Sequence, residues 1–207
     1  MSVSCRSEGL TGGSRVALNL VTMRATPDPA AEAVSQAVFG EMVQVQADAG
    51  DWTLIRTPDG YPGWVRTGAI CSCPAESDRR MVSSLLEPVY CAPDGDQMSL
   101  LPLGAIVHSV TGDAPGRWAR FAFGTRGDAY IRASALTDPP RPGRTIEAAS
   151  LAATAQRLLG VPYLWGGRTP FGIDCSGFTQ LVYGLHGIVL PRDAYQQAAW
   201  EGLRPIA

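Results

Sequence analysis

An internal repeat at a spacing of 66 positions restricts what the first two thirds of this chain can fold into. Trp52 and Trp118 are 66 positions apart (118 − 52), and so are Trp64 and Tyr130 (130 − 64). The residues around each pair stay in step, so that residues 63–70 match residues 129–136 in aromatic, β-branched and basic positions. A repeat of this kind indicates two successive copies of one small folding unit.

Each copy contains short stretches in which apolar and polar residues alternate, as in a β-strand with one buried face. In the first copy these stretches are residues 42–46 and 52–56, and they are punctuated by glycine and proline. The turns before the third strand also correspond, with residues 39–41 matching residues 103–105. The pattern predicts a small all-β barrel in each copy.

The periodicity changes after a proline-rich spacer at residues 139–144, because proline fixes φ and removes a backbone donor. Beyond it, Thr145 is expected to cap a helix that stops at Gly160. A second helix is expected to open at Asp174 and to bury one face, and Asp193 with Gln196 forms a capping box for a third helix. The apolar residues of that buried face are Phe178, Leu181, Val182 and Leu185.

These observations divide the chain into five parts, and its length and 45% hydrophobic content suit several small cores. The parts are an N-terminal extension (1–14), a first barrel (15–74), a second barrel (75–138), the linker (139–144) and a C-terminal segment (145–207).

The composition argues against several classes of function. The net charge of −2, without any basic run, gives no footprint for nucleic acid, and no stretch is long and apolar enough to span a membrane. Five irregularly spaced cysteines argue against a disulfide framework. Cys71 and Cys73 resemble half of a zinc site but lack a second pair nearby, so we expect no metal and no cofactor.

The N-terminus lacks the pattern of an export signal, which predicts a cytoplasmic protein. The alternative is export, if the true start lies upstream.

Cys175 is the residue with the clearest chemical potential. A thiolate is the reactive form of cysteine, and the first turn of a helix favours it because unpaired N–H groups and the positive end of the dipole face the sulfur. Gly177 is expected to let a substrate backbone approach the sulfur. A cysteine in this place is nevertheless more often a buried structural thiol, so the surrounding pattern has to decide.

That pattern extends over about 50 residues and resembles the signature of the NlpC/P60 cysteine peptidases. It comprises Tyr163-x-Trp165-Gly166-Gly167, then residues 172–178 around Cys175, then Leu190-Pro191-Arg192 and Gln197. The two repeats resemble bacterial SH3-like (SH3b) modules. The resemblance implies a multi-domain chain in which two SH3-like barrels precede the helical, nucleophile-bearing half of an α+β papain-like domain.

The resemblance also implies roles for single residues. Cys175 would be the nucleophile, Tyr163 would help to hold the oxyanion, and Trp165 would shape the substrate groove. In relatives of this architecture the first barrel closes the cleft and recognises the free amino group of a murein peptide. The positions expected to do so here are Asp174, Ser176, Tyr61 and Glu41. Three of them also have an ordinary structural interpretation: Asp174 as a helix cap, Glu41 as a turn residue and Tyr61 as barrel cover.

The family's catalytic base is a histidine on a strand beyond the third helix, and this sequence ends before such a strand. His108 belongs to the second repeat, and His186 lies 11 positions (186 − 175) along the nucleophile's helix, roughly 16 Å away. Neither is expected to serve as the base. The chain is interpreted either as part of a longer enzyme or as a natural truncation.

Three functions remain open at this point. The leading one is a monomeric peptidase that cleaves the γ-D-Glu–diamino acid bond of murein peptides with a free N-terminal L-Ala, in murein recycling or turnover. The second is a non-catalytic peptidoglycan-binding protein. The third is an acyltransferase or amidase that uses the same nucleophile.

Overall fold

The computed structural model describes residues 13–72, 78–108, 111–112, 116–143 and 145–202. Predictions that involve Cys5, Cys73 and most of the N-terminal extension lie outside these residues. The described chain is mostly β, with three helices near its C-terminal end. None of the helices in these ranges is long and apolar enough to cross a membrane.

The first β unit is a single antiparallel sheet with the strand order β3-β2-β6-β5-β4-β1-β7. Alternation of apolar residues places one face of each strand in a core that includes Met23, Ile55 and Val65, none of which is exposed. The strands are β1 (Ser14–Val16), β2 (Leu20–Arg24), β3 (Ala33–Val38), β4 (Met42–Ala49), β5 (Trp52–Arg56), β6 (Pro62–Arg66) and β7 (Ile70–Ser72), with a 3-10 turn at Thr67–Ala69.

The second β unit is divided into two sheets with the orders β10-β9-β14-β13-β12 and β11-β8-β15. Its core contains Val89, Leu101, Phe121 and Ile131. The strands are β8 (Arg79–Val82), β9 (Leu86–Tyr90), β10 (Gln97–Pro102), β11 (Ile106–His108), β12 (Thr111–Gly112), β13 (Trp118–Ala122), β14 (Asp128–Arg132) and β15 (Leu136–Thr137), with a 3-10 turn at Ala133–Ala135.

The 66-residue repeat is present in the pairing of the strands. Arg24 pairs with Trp64 in the first unit, and Tyr90 pairs with Tyr130 in the second, at the same offset. The strand orders also correspond when β4 is matched to β11 and β12 together. Closed barrels are not found, because among the described residues each sheet ends at an edge strand without a hydrogen-bonded partner beyond it.

The turn at residues 39–41 fastens the first unit to the second. The Phe39 ring is buried in the second unit's core, stacked on Phe123 with 4.9 Å between ring centroids. His108 is also buried, and its Nε2 atom lies 2.8 Å from the Gly40 carbonyl oxygen. Burial lowers the pKa of His108, and nearby Arg15 and Arg79 lower it further against the opposing effect of the Gly40 carbonyl. His108 is therefore a structural contact between the units.

The C-terminal segment contains α1 (Ala148–Gln156), a short hairpin of β16 (Arg168–Thr169) and β17 (Gly172–Ile173), α2 (Cys175–Gly184) and α3 (Ala194–Ala198). The prediction that Thr145 caps the first helix is wrong: Glu147 occupies the N-cap, and its carbonyl accepts from the N–H groups of Ser150 and Leu151. The capping box of Asp193 and Gln196 is confirmed, although α3 ends at Ala198.

The predicted buried face of α2 is confirmed. Val182 lies in a small core with Leu158 and Ile173, and Phe178, Leu181 and Leu185 pack against that core. Leu103 of the second β unit belongs to the same cluster. The C-terminal segment is thus packed on the second β unit.

Candidate active site

Cys175 is the first residue of α2, and its side chain is exposed. Asp174 is the N-cap of this helix, and its Oδ1 atom accepts a hydrogen bond from the backbone N–H of Gly177 at 2.7 Å. The cap forms here because a short acidic side chain can accept from the first unpaired N–H groups of a helix. An exposed thiol at a capped helix start is the setting that the sequence predicts for a nucleophile.

Tyr163 lies beside the strand that leads into Cys175. It forms a parallel bridge with Ile173, and the neighbouring N–H of Leu164 donates to the Ile173 carbonyl at 3.2 Å. The Tyr163 side chain is 67% exposed. Tyr163, the residue predicted to hold the oxyanion, therefore lies next to the strand that leads to Cys175, and its side chain is exposed.

Gly177 serves a different purpose from the one expected. A Cβ atom at this position would lie 2.1 Å from the Gly167 carbonyl oxygen, so the absence of a side chain lets the helix approach the loop before β16. The expectation that Gly177 makes room for a substrate backbone is replaced by this contact between two backbone segments.

Arg192 holds both neighbours of Cys175. Its guanidinium group donates to both carboxylate oxygens of Asp174, at 2.6 and 3.1 Å, and to the Ser176 hydroxyl at 2.9 Å. Burial by itself would raise the pKa of Asp174. The hydrogen bonds from Arg192, Gly177 and Gly166 outweigh it and hold the pKa below its usual value. Asp174 is therefore an anion whose charge is already compensated.

Glu41 has a similar partner. Its carboxylate accepts from Arg168 of β16 at 2.7 Å and from the Val38 backbone N–H at 3.0 Å. Both side chains are more than four-fifths buried, so the pair connects the first β unit to the hairpin before the nucleophile. The placement of Asp174 and Glu41 thus gives each of them an arginine as its charge partner.

Trp165 joins the same interface. Its indole Nε1–H donates to Glu32 Oε1 at 2.8 Å, while 63% of the side chain stays exposed. A Cβ at the adjacent Gly166 would lie 2.5 Å from the Ala33 carbonyl oxygen, so the loop backbone rests directly on the start of β3. The exposed indole face lies at the edge of the first β unit.

Tyr61 of the first unit reaches α3. Its hydroxyl donates to Asp193 Oδ1 at 3.2 Å across 132 positions of sequence. Burial, followed by the Asp193 charge and hydrogen bond, raises the pKa of Tyr61 to about 12, so the phenol stays protonated. None of the ion pairs among the described residues involves Asp193.

Sequence reasoning interpreted Asp193 only as a helix cap and assigned no role to Arg192 or Glu32. The capping box is a local signal, and it gives no indication that the Asp193 carboxylate also accepts a hydrogen bond from Tyr61. Each of the three has a partner more than a hundred positions away: Arg192 bonds to Ser35 of β3, Asp193 to Tyr61 of the β5–β6 turn, and Glu32, in the turn before β3, to Trp165. No local pattern reports such contacts.

Neither histidine is placed to act on Cys175. His108 is engaged with Gly40 between the two β units. His186 lies beyond the end of α2, and its Nε2 atom is 3.0 Å from the Thr154 hydroxyl of α1. The expectation that His186 lies on the nucleophile's helix is corrected, because α2 ends at Gly184.

Two segments match models of known families. Residues 23–70 match the bacterial dipeptidyl-peptidase SH3 domain, and residues 160–205 match the NlpC/P60 family. The first match covers most of the first β unit, and the second covers the loop with Tyr163, the nucleophile's helix and α3. The matched segments are the two parts that meet at Cys175.

Several curated relatives are similar over most of this chain. A γ-D-glutamyl-L-lysine dipeptidyl-peptidase of Bacillus cereus (strain ATCC 10987 / NRS 248) is 31% identical in an alignment 188 positions long that covers 79% of this chain and 54% of the relative. A protein of the same name in Bacillus subtilis (strain 168) is 28% identical in an alignment 173 positions long that covers 79% of this chain and 57% of the relative. The chain spans little more than half the length of these two relatives.

Solved structures show the same fold. An NlpC/P60 family protein from Bacillus cereus ATCC 10987 superimposes with a TM-score of 0.72 at 21% identity, covering 90% of this chain and 76% of that one. An NlpC/P60 endopeptidase from Photobacterium damselae subsp. piscicida gives a TM-score of 0.65 at 20% identity, covering 91% of this chain and 46% of that one.

Proposed function

Residues 160–205 belong to the NlpC/P60 family and follow a bacterial SH3 domain, and from this premise we propose that the protein is a cysteine peptidase acting on cell-wall peptides. The observation that carries the proposal is the exposed Cys175 at the capped start of α2, directly after the strand that Tyr163 bridges at Ile173. The names of the relatives support a dipeptidyl-peptidase that acts next to γ-D-glutamate.

In the proposed reaction the Cys175 thiolate attacks the γ-carbonyl carbon of D-glutamate. The amine of the diamino acid leaves with a proton, and the acyl group remains on sulfur as a thioester. Water then hydrolyses the thioester and releases L-Ala-γ-D-Glu. Tyr163 is proposed to donate a hydrogen bond to the oxyanion. The proton acceptor is neither His108 nor His186, because each is held by another partner.

We further propose that the second β unit is SH3-like, as the first unit is. The matching strand order and the equivalent 3-10 turns at Thr67–Ala69 and Ala133–Ala135 support this assignment. Its role would be to support the first unit and α2, since Phe39 and Leu103 connect the three parts.

The substrate's free amino group is proposed to bind at Tyr61 and Asp193. Of the carboxylates expected or found near the candidate site, Asp174 and Glu41 already have buried arginine partners, whereas Asp193, like Glu32 further along the interface, is bonded to an uncharged side chain, here the phenol of Tyr61. An ammonium group would supply a charge partner, and charge-assisted hydrogen bonds are the stronger kind. The first β unit thereby limits the cleft to peptides with a free amino terminus.

Incubation of the protein isolated from its source with L-Ala-γ-D-Glu-L-Lys tests the proposal. Mass spectrometry should detect L-Ala-γ-D-Glu. The Cys175→Ala variant should not release this dipeptide from the same substrate, and the original protein should not cleave an N-acetylated substrate. Release by Cys175→Ala at the original rate would refute the cysteine mechanism. Tight binding of the peptide to the protein without any hydrolysis would favour the non-catalytic peptidoglycan-binding alternative. Transfer of the acyl group to an added amine would favour an acyltransferase.

A further inference from the structure

Arg192 is the most deeply buried cation near the candidate site, with 2% of its surface exposed. It lies in the link between α2 and α3 and makes hydrogen bonds with three separate side chains. Besides Asp174 and Ser176, it donates from Nε to the hydroxyl of Ser35 in β3, at 3.2 Å. One side chain therefore joins the nucleophile's helix start, the link before α3 and the first β unit.

The residues that Arg192 holds are the two neighbours of Cys175 in sequence. Asp174 carries a negative charge and is 7% exposed, so without Arg192 it would be a buried, uncompensated anion at the residue next to Cys175 in sequence. Such a charge opposes formation of a second anion nearby. The bidentate pairing removes this opposition and also fixes the orientation of the N-cap.

Gln197 of α3 completes the arrangement from the other side. Its side-chain amide donates to the Ser176 carbonyl at 3.0 Å and to the Pro191 carbonyl at 2.8 Å. The link that contains Arg192 and the backbone at Ser176 are therefore tied to each other twice. This rigidity suits a group that must hold the nucleophile in one geometry.

We infer that Arg192 is a positioning residue for Cys175, which compensates the Asp174 charge and, through Ser35, makes the first β unit a support of the nucleophile. The inference rests on the proposed function in taking Cys175 as the nucleophile. The reactivity of the thiol can nevertheless be measured without any peptide hydrolysis.

The test is the rate at which iodoacetamide alkylates Cys175 in the full chain at pH 7, with peptide mass spectrometry to separate it from the other four cysteines. Arg192→Met keeps much of the length of the side chain and removes its charge. A single unscreened charge close to an ionisable group changes its ionisation about tenfold or more, so we expect alkylation to slow about tenfold. Arg192→Lys should retain a larger part of the rate.

The matched control is the double variant Arg192→Met/Asp174→Asn. Asparagine still caps the helix, and both charges are gone, so the rate should return to within about threefold of the original. Ser35→Ala should slow alkylation less than Arg192→Met does. If circular dichroism shows that Arg192→Met does not fold, the alkylation rates of Arg192→Lys and Ser35→Ala are compared with that of the original chain, and these rates test the positioning role instead.

An unchanged or faster rate in folded Arg192→Met, or a double variant as slow as the single one, would overturn the inference. So would unchanged rates in both Arg192→Lys and Ser35→Ala. Alkylation rates that follow the expected order without any dipeptide release would leave the positioning role standing and reject the peptidase. Dipeptide release together with an alkylation rate that does not change in folded Arg192→Met would support the peptidase and reject the positioning role.

Discussion

Replacement of Gly177 by alanine should destabilise the candidate site more than its small size suggests. The new Cβ would lie 2.1 Å from the Gly167 carbonyl oxygen and 3.2 Å from Arg168 Cα, both of which are backbone atoms. Because real Cβ contacts almost never fall below 3.0 Å, the two backbone segments must separate by about 1 Å. The same movement stretches the hydrogen bond from the Asp174 N–H to the Gly167 carbonyl, which is 3.1 Å long, and the new Cβ would also lie 3.0 Å from Asp174 Oδ1, the acceptor of the N-cap.

Overpacking of this kind costs about 1–3 kcal/mol, and a weakened N-cap adds about 0.5–2 kcal/mol. We therefore expect Gly177→Ala to lower the free energy of unfolding by about 1.5–5 kcal/mol. Gly184→Ala is the matched control in the last turn of the same helix, since a Cβ atom added there would meet nothing within 4 Å. That change should stabilise the chain by about 0.5–1 kcal/mol, because alanine favours helix over glycine.

Urea denaturation followed by circular dichroism measures both variants, and the alkylation rate of Cys175 reports whether the helix start has moved. If Gly177→Ala were as stable as Gly184→Ala, the close packing of α2 on the residue 167 backbone would be wrong. A loss of stability equal in both variants would point instead to a general effect of substitution in α2.

Three further predictions concern the interfaces around the site. Tyr61→Phe removes the hydrogen bond to Asp193. In steady-state kinetics it should raise KM for peptides with a free amino group several-fold, with little change in kcat. An equal effect on an amino-blocked substrate would contradict the proposal that the amino group binds at Tyr61 and Asp193. Arg168→Met leaves Glu41 buried and unpaired and should cost about 3–5 kcal/mol in urea denaturation, whereas Arg168→Met/Glu41→Gln should cost clearly less. Because the pKa of His108 is lowered in the folded chain, the unfolded chain takes up a proton first as the pH falls below about 6.5. The free energy of unfolding should therefore decline from pH 7 towards pH 5. His108→Gln should flatten that decline in thermal unfolding measured at both pH values.

The presence of two related β units could be predicted from the sequence because the repeat reports the same strand pattern twice, whereas their strand orders and open sheets could not. The equivalent positions of Trp52 and Trp118 begin β5 and β13, and each tryptophan lies under an arginine, Arg66 or Arg132, at the same offset. The helix start at Cys175 was equally accessible, because an acidic cap followed by apolar residues at helical spacing is a local pattern.

The partners of the charged residues could not be predicted in the same way. Arg192 bonds to Ser35, and Tyr61 bonds to Asp193, across 157 and 132 positions respectively. Such contacts depend on how the first β unit docks on the C-terminal segment, and neither periodicity nor capping reports that docking. The wrong prediction of a cap at Thr145 has a different cause. Neighbouring residues near a helix start can also take the N-cap position, and here the backbone carbonyl of Glu147 accepts the first hydrogen bonds of the helix.

The most direct test of the cysteine mechanism is to trap the acyl-enzyme. The protein isolated from its source would be mixed with L-Ala-γ-D-Glu-L-Lys, quenched in acid within one turnover, digested and examined by mass spectrometry. The mechanism predicts an L-Ala-γ-D-Glu acyl group, equal in mass to the dipeptide less one water, on the peptide that contains Cys175. Turnover of the substrate with the acyl group on another residue, or with identical kinetics in Cys175→Ala, would contradict it.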